Sequence, residues 1–97
     1  MKDFLTVQFF SVEGQIPPME CDSLQLPIAD SLDGAFSGSY GIRKGHANAV
    51  FSLKAGKVVL TKNEKVAFAA NISEGFAMVE NNLVSITVSS LGEVEKA

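Results

Sequence analysis

The stretch from Gly56 to Val88, GKVVLTKNEKVAFAANISEGFAMVENNLVSITV, decides the fold class. Three turn signals cut it: Lys62-Asn63-Glu64, Ser73-Glu74-Gly75 and Asn81-Asn82. Together with Ala55-Gly56 they recur roughly every 7–10 residues, a spacing that fits hairpins and leaves no room for helices between them. Between the turns the apolar residues alternate. Val84, Ile86 and Val88 face away from Ser85, Thr87 and Ser89, and Val66, Phe68 and Ala70 repeat the pattern. Period 2 is the signature of a half-buried strand.

Working outward, Leu24, Leu26 and Ile28 alternate with Ser23, Gln25 and Pro27. Phe4 to Val12 is apolar on both faces, which suits a strand covered on both sides. Pro17-Pro18 cannot lie in a central strand, so the second strand is broken or at an edge. Asp30 to Gly45, with Gly34, Gly38, Gly41 and Gly45, reads as a long, mobile connection. The polar tail from Gly92 to Ala97 tolerates helix but is too short to form one alone. The expectation is an all-β chain, a two-layer antiparallel β-sandwich of about ten short strands, with one domain over residues 1–91 and a short tail over 92–97. Its expected core is Val7, Leu26, Ile28, Phe51, Leu53, Val58, Phe68, Phe76, Ile86 and Val88.

The chain has 97 residues, 46% apolar and 20% charged, with a net charge of −3. That is one globular domain rather than a disordered segment. The acidic balance and scattered basic residues argue against nucleic acid. No run is long and apolar enough to span a membrane, and no secretory signal is visible, so a soluble, cytoplasmic protein is expected. Cys21 is the only cysteine and His46 the only histidine. An internal disulfide is therefore excluded, and Cys21 reads as an inert, partly buried thiol.

Catalytic patterns fail on their details. Lys44-Gly45-His46 reverses the order a phosphate-binding loop needs. Asp30, Ser31 and Asp33 resemble the start of a calcium loop, but Gly41 stands where the bidentate Glu belongs. One His and one Cys lack metal-ligand spacing, and no Gly-x-Ser-x-Gly elbow occurs. No cofactor, metal or catalytic residue is expected. For His46 two readings stand: a strand-start residue that caps a loop by hydrogen bonds, and a residue of a subunit interface. For Arg43-Lys44 the alternatives are a solvated loop and a contact surface.

The segment Gly41-Ile42-Arg43-Lys44-Gly45-His46-Ala47, followed by the apolar run Val50 to Leu53 and the Ala55-Gly56 turn, resembles a motif of the ATP synthase epsilon subunit. The opening strand Phe4 to Gly14 and the stretch Ile72 to Ile86 also resemble that family, in the same order. The likeness runs from about Phe4 to Leu91. Lys44 stands where the family usually has Pro, Glu74 where it has the first of two Gly, and Ala35 to Tyr40 is longer than usual. The family normally continues into a helical hairpin, and nothing of the hairpin's behaviour is carried over.

The resemblance implies a non-catalytic central-stalk subunit of a rotary proton-translocating ATP synthase. Its implied partners are the gamma subunit and the c subunits of the membrane rotor ring, with peripheral attachment to the inner face of the membrane and no insertion. Candidate interface residues are Asp33, Tyr40, Arg43, Lys44 and His46. The alternative is a small ligand- or carbohydrate-binding β-sandwich. That class usually presents exposed aromatics for stacking, whereas this chain has no Trp, one Tyr and seven Phe suited to a core.

Overall fold

A computed structural model describes residues 4–12, 14–28 and 38–96. Among them run ten strands and no helix: β1 (Leu5–Ser11), β2 (Gly14–Cys21), β3 (Ser23–Ile28), β4 (Gly38–Arg43), β5 (Ala49–Leu53), β6 (Gly56–Lys62), β7 (Lys65–Ile72), β8 (Gly75–Glu80), β9 (Leu83–Val88) and β10 (Leu91–Lys96). They hydrogen-bond in the order β10-β7-β6-β3-β5-β8-β9-β1-β2, with β4 on the other edge of β3. The sheet curls so that its two halves face each other. Phe9 of β1 and Phe68 of β7, far apart along the sheet, meet with ring centroids 5.6 Å apart. The all-β sandwich class is as the alternation predicts. One pair departs from the antiparallel rule: β1 runs parallel to β9, from Thr6 beside Leu83 to Ser11 beside Val88.

Turn chemistry explains the hairpins. Asn63 and Glu64 have φ of 53° and 65°, and Asn81 and Asn82 have 50° and 64°. Two successive left-handed residues make the tight turn whose twist matches that of paired strands. The curl is made at β3. Residues Ser23 to Gln25 pair with β6, while Ile28 pairs with Leu53 of β5 on the same edge. Pro27 lies at the handover, where a missing N–H costs least, and its carbonyl accepts from the Lys54 N–H at 2.9 Å. Pro17-Pro18 behaves as its chemistry demands: β2 is an edge strand, and its pairing with β1 slips between Met19 and Ile16.

The core is apolar throughout and includes Val7, Leu26, Leu53, Val58, Phe68, Ile86 and Val88 from the expected set. Ile28 and Phe51 pack against it half-buried. Phe76 is a correction, since it is 44% exposed. It faces outward opposite Thr87, while Ala77 and Val79 of the same strand are buried against Ile86 and Val84. Val66 is another: the β6–β7 register shifts between Leu60 and Thr61, and this turns Val66 to solvent while Phe68 and Ala70 stay inside.

Two segments differ from the sequence expectation. The glycine-rich connection contains strand β4, because Ile42 is fully buried and Tyr40, two residues away on the same face, packs on the core. The polar tail carries β10, which pairs with β7 from Leu91 beside Ile72 to Lys96 beside Phe68. No helix among the described residues is long and apolar enough to cross a membrane.

Candidate functional site

Strand β4 and the segment that joins it to β5 gather four of the five candidate residues, Tyr40 and Arg43 on the strand and Lys44 and His46 beyond it, while Asp33 lies outside the described residues. The chain leaves β4 at Arg43 and turns sharply. The His46 N–H returns to the Arg43 carbonyl at 3.2 Å, and Gly45 takes a φ of 81°. A side chain at that φ would be strained, which explains why glycine stands there. Arg43, Lys44 and Gly45 are exposed, whereas His46 and Tyr40 are half-buried.

His46 is held by its own ring. Nδ1 lies 2.7 Å from the Ala47 carbonyl oxygen and Nε2 lies 3.1 Å from the Tyr40 hydroxyl. A carbonyl only accepts, so Nδ1 carries a proton and donates to Ala47, while Nε2 is partnered by the Tyr40 hydroxyl. Phe51 of β5 completes the cluster, with ring centroids 5.0 Å from Tyr40 and 5.9 Å from His46. The rings staple the end of β4 to β5 and leave Arg43 and Lys44 displayed beside them.

The electrostatics around the displayed pair are mixed. Arg43 and Lys44 share a groove with Asp22, Ser23, Thr61 and Glu64. The Asp22 carboxylate accepts the Asn63 N–H at 2.7 Å, which ties the β6–β7 turn to the junction of β2 and β3. Cys21 next to it is fully buried. Burial pushes its thiol up to about 11, the Asp22 charge adds to that, and Lys62 opposes it. Such a thiol is protonated at neutral pH and is a poor nucleophile. No cluster of three or more metal-ligating side chains occurs among the described residues.

Two residues of this site carried no candidate role in the sequence. Asn82 accepts the Gly45 N–H on its Oδ1 at 2.7 Å, and Asn48 accepts the Asn81 N–H at 3.3 Å. The β8–β9 turn and the Arg43–His46 loop are thus laced together at one end of the sandwich. The sequence marked Asn81-Asn82 as a turn, but the partners of these side chains lie 37 and 33 positions away. No local pattern could pair them.

A family model for the β-sandwich domain of ATP synthase Delta/Epsilon chains matches residues 5–93. The ATP synthase epsilon chain of Campylobacter lari is 28% identical over 86 residues, which is 89% of this chain and 61% of that relative. A chain in the cryo-EM structure of the Euglena gracilis mitochondrial ATP synthase, OSCP/F1/c-ring in rotational state 1, matches with a TM-score of 0.75 at 18% identity. That match covers 94% of this chain and 54% of the other. A chain of the central stalk/c-ring structure of the Tetrahymena thermophila mitochondrial ATP synthase matches with a TM-score of 0.68 at 14% identity, covering 92% and 66%. At those identities the structural matches speak for the fold alone, and in every case this chain spans less than two thirds of the other's length. The family match, by contrast, spans nearly the whole sandwich: the chain belongs to the ATP synthase Delta/Epsilon chain family, as its β-sandwich domain.

Proposed function

We infer that this domain is a non-catalytic central-stalk element of a rotary, proton-translocating ATP synthase, coupling rotor-ring rotation to ATP synthesis. The observation that carries this reading is the family match over residues 5–93. In this reading the domain binds the gamma subunit, its loop end carries polar contacts toward that subunit or the c-ring, and it is held peripherally at the inner face of the membrane.

The physical character of the chain supports the assignment. Torque transmission needs a body that does not yield. A single curled sheet closed on a dry core, with no buried polar side chain among the described residues, is such a body. It also needs a displayed set of polar groups in a fixed shape, and Arg43 and Lys44 beside the Tyr40–His46–Phe51 cluster form one. Arg43 in particular can grip a carboxylate through two parallel hydrogen bonds.

Titration calorimetry of the folded chain against its cognate gamma subunit tests the reading. One-to-one binding, weakened by Arg43→Ala, is the expected result. A well-folded chain that leaves gamma unbound under the conditions in which the catalytic complex assembles overturns it.

A further inference from the structure

We propose that Asn82 is a positioning residue for the Arg43–His46 loop, holding it in the shape that the gamma subunit reads. This rests on the partner-binding reading above. Arg43, Lys44 and Gly45 are all exposed, and the loop turns on the 3.2 Å bond from the His46 N–H to the Arg43 carbonyl. Its shape therefore depends on ties to the rest of the molecule. Its tie to the β8–β9 turn is the 2.7 Å bond from the Gly45 N–H to Asn82 Oδ1.

Asn82 is itself anchored. It occupies a left-handed position of the β8–β9 turn, and its backbone carbonyl accepts the Thr6 N–H at 2.9 Å. Thr6 lies in β1, which is bonded on both edges. One residue thus links the loop to a strand bonded on both edges: its backbone is fixed by β1 and its side chain reaches Gly45. If Oδ1 is removed, the exposed Gly45 N–H can turn to water, so the fold loses little. The loop, however, then has to be ordered when a partner binds. A preformed loop spares that entropy, and its loss appears as weaker affinity rather than as unfolding.

The test uses the full chain and its cognate gamma subunit. Asn82→Gly keeps the left-handed backbone and deletes the acceptor, while Asn82→Asp keeps an oxygen at the same place. In Asn82→Gly the Gly45 amide should exchange with solvent faster while the Thr6 amide stays protected. Affinity for gamma, corrected for folded fraction, should fall about 3- to 10-fold, the usual range for one hydrogen bond. Asn82→Asp should restore both. The losses from Asn82→Gly and Arg43→Ala should combine to less than their product, because the first acts through the loop that presents the second.

An unchanged Gly45 exchange rate overturns the proposal. So does full gamma affinity in Asn82→Gly when Arg43→Ala weakens binding, or strictly multiplicative losses. If the folded wild-type chain does not bind gamma at all, the partner reading itself has failed and takes this role with it. That result stays distinguishable, because the Gly45 exchange measurement needs no gamma.

Discussion

The Tyr40 hydroxyl lies 3.1 Å from Nε2 of His46, and the opposite nitrogen of the same ring is fixed 2.7 Å from the Ala47 carbonyl. Both ring nitrogens are therefore satisfied within the chain, so His46 acts as a cap whatever it also does for a partner. Tyr40→Phe keeps the ring stack and deletes one hydrogen bond, and should cost about 1 kcal/mol. His46→Ala also loses the ring contacts with Tyr40 and Phe51 and should cost more, roughly 1–2 kcal/mol. Arg43→Ala, on an exposed side chain, should change stability by less than about 0.5 kcal/mol. Urea titrations of the three variants check this order. A His46→Ala variant as stable as wild type would mean that the ring cluster contributes nothing to the fold.

Gly75 should resist replacement strongly. A Cβ there would lie 2.0 Å from the Thr87 carbonyl oxygen and 2.9 Å from Val88 Cγ1. The first is backbone of the paired strand and cannot swing away, so β8 and β9 would have to part. Gly75→Ala should cost about 3 kcal/mol or more, seen as a thermal melt far below that of wild type. Gly41→Ala is the control, since a Cβ there meets nothing within 4 Å. Glu74, which adjoins Gly75, is exposed, so its large side chain stands clear of the core.

Phe68 and Phe76 should behave as opposites. Phe68 is 2% exposed and stacks on Phe9, so Phe68→Ala should cost ~3–5 kcal/mol. Phe76→Ser should cost about 1 kcal/mol at most and should improve solubility, because the ring stands on the outer face. Chemical denaturation of both variants gives the comparison. Equal losses would mean that the β8–β9 register is wrong.

That pair also shows where the sequence was legible. Strand alternation and turn chemistry located most of the elements and most of the core, because both are local signals. Phe76 was misread by size, yet the correct answer lay in the hairpin. A two-residue Asn81-Asn82 turn pairs Glu80 with Leu83, hence Val79 with Val84 and Phe76 with Thr87, on the polar face of β9. The bulge that exposes Val66 and the pairing that turns a glycine-rich stretch into β4 depend on the neighbouring strand, so no window of sequence contains them. At the loop end, Tyr40 and His46 could be named for their residue types. The ties from Asn48 and Asn82 could not, because they exist only once distant turns meet.

Glu64 occupies a backbone position that suits another residue. Its φ of 65° is left-handed, where a side chain other than Asn or Asp is disfavoured. The side chain is exposed, so little packing is at stake. Glu64→Gly completes an Asn-Gly turn between β6 and β7 and should stabilise the domain by about 0.5–1 kcal/mol. A higher melting temperature is the expected result. A lower one would show that the Glu64 side chain contributes more than its backbone costs.

Cys21 should make stability fall at alkaline pH. Burial, reinforced by the Asp22 charge and opposed by Lys62, pushes its thiol from an ordinary 9.0 to about 11. A raised value means that the folded state keeps the proton longer than the unfolded chain does. Below pH 9 both states hold it, and the contribution of the neutral buried thiol is fully present. Between pH 9 and 11 the unfolded chain releases its proton first, so unfolding is favoured as pH rises. The loss should approach roughly 2–3 kcal/mol by pH 11. Lysines also titrate in this range, so the measurement is a difference: wild type against Cys21→Ala, by urea titration at pH 8, 9, 10 and 11. Cys21→Ala starts less stable because of the cavity, and the gap should narrow as pH rises. At pH 8 the native thiol should react with a disulfide reagent far more slowly than the denatured one. A constant gap across the series, or rapid labelling of the folded chain, would place Cys21 in contact with water and contradict its burial beneath the Asp22 turn.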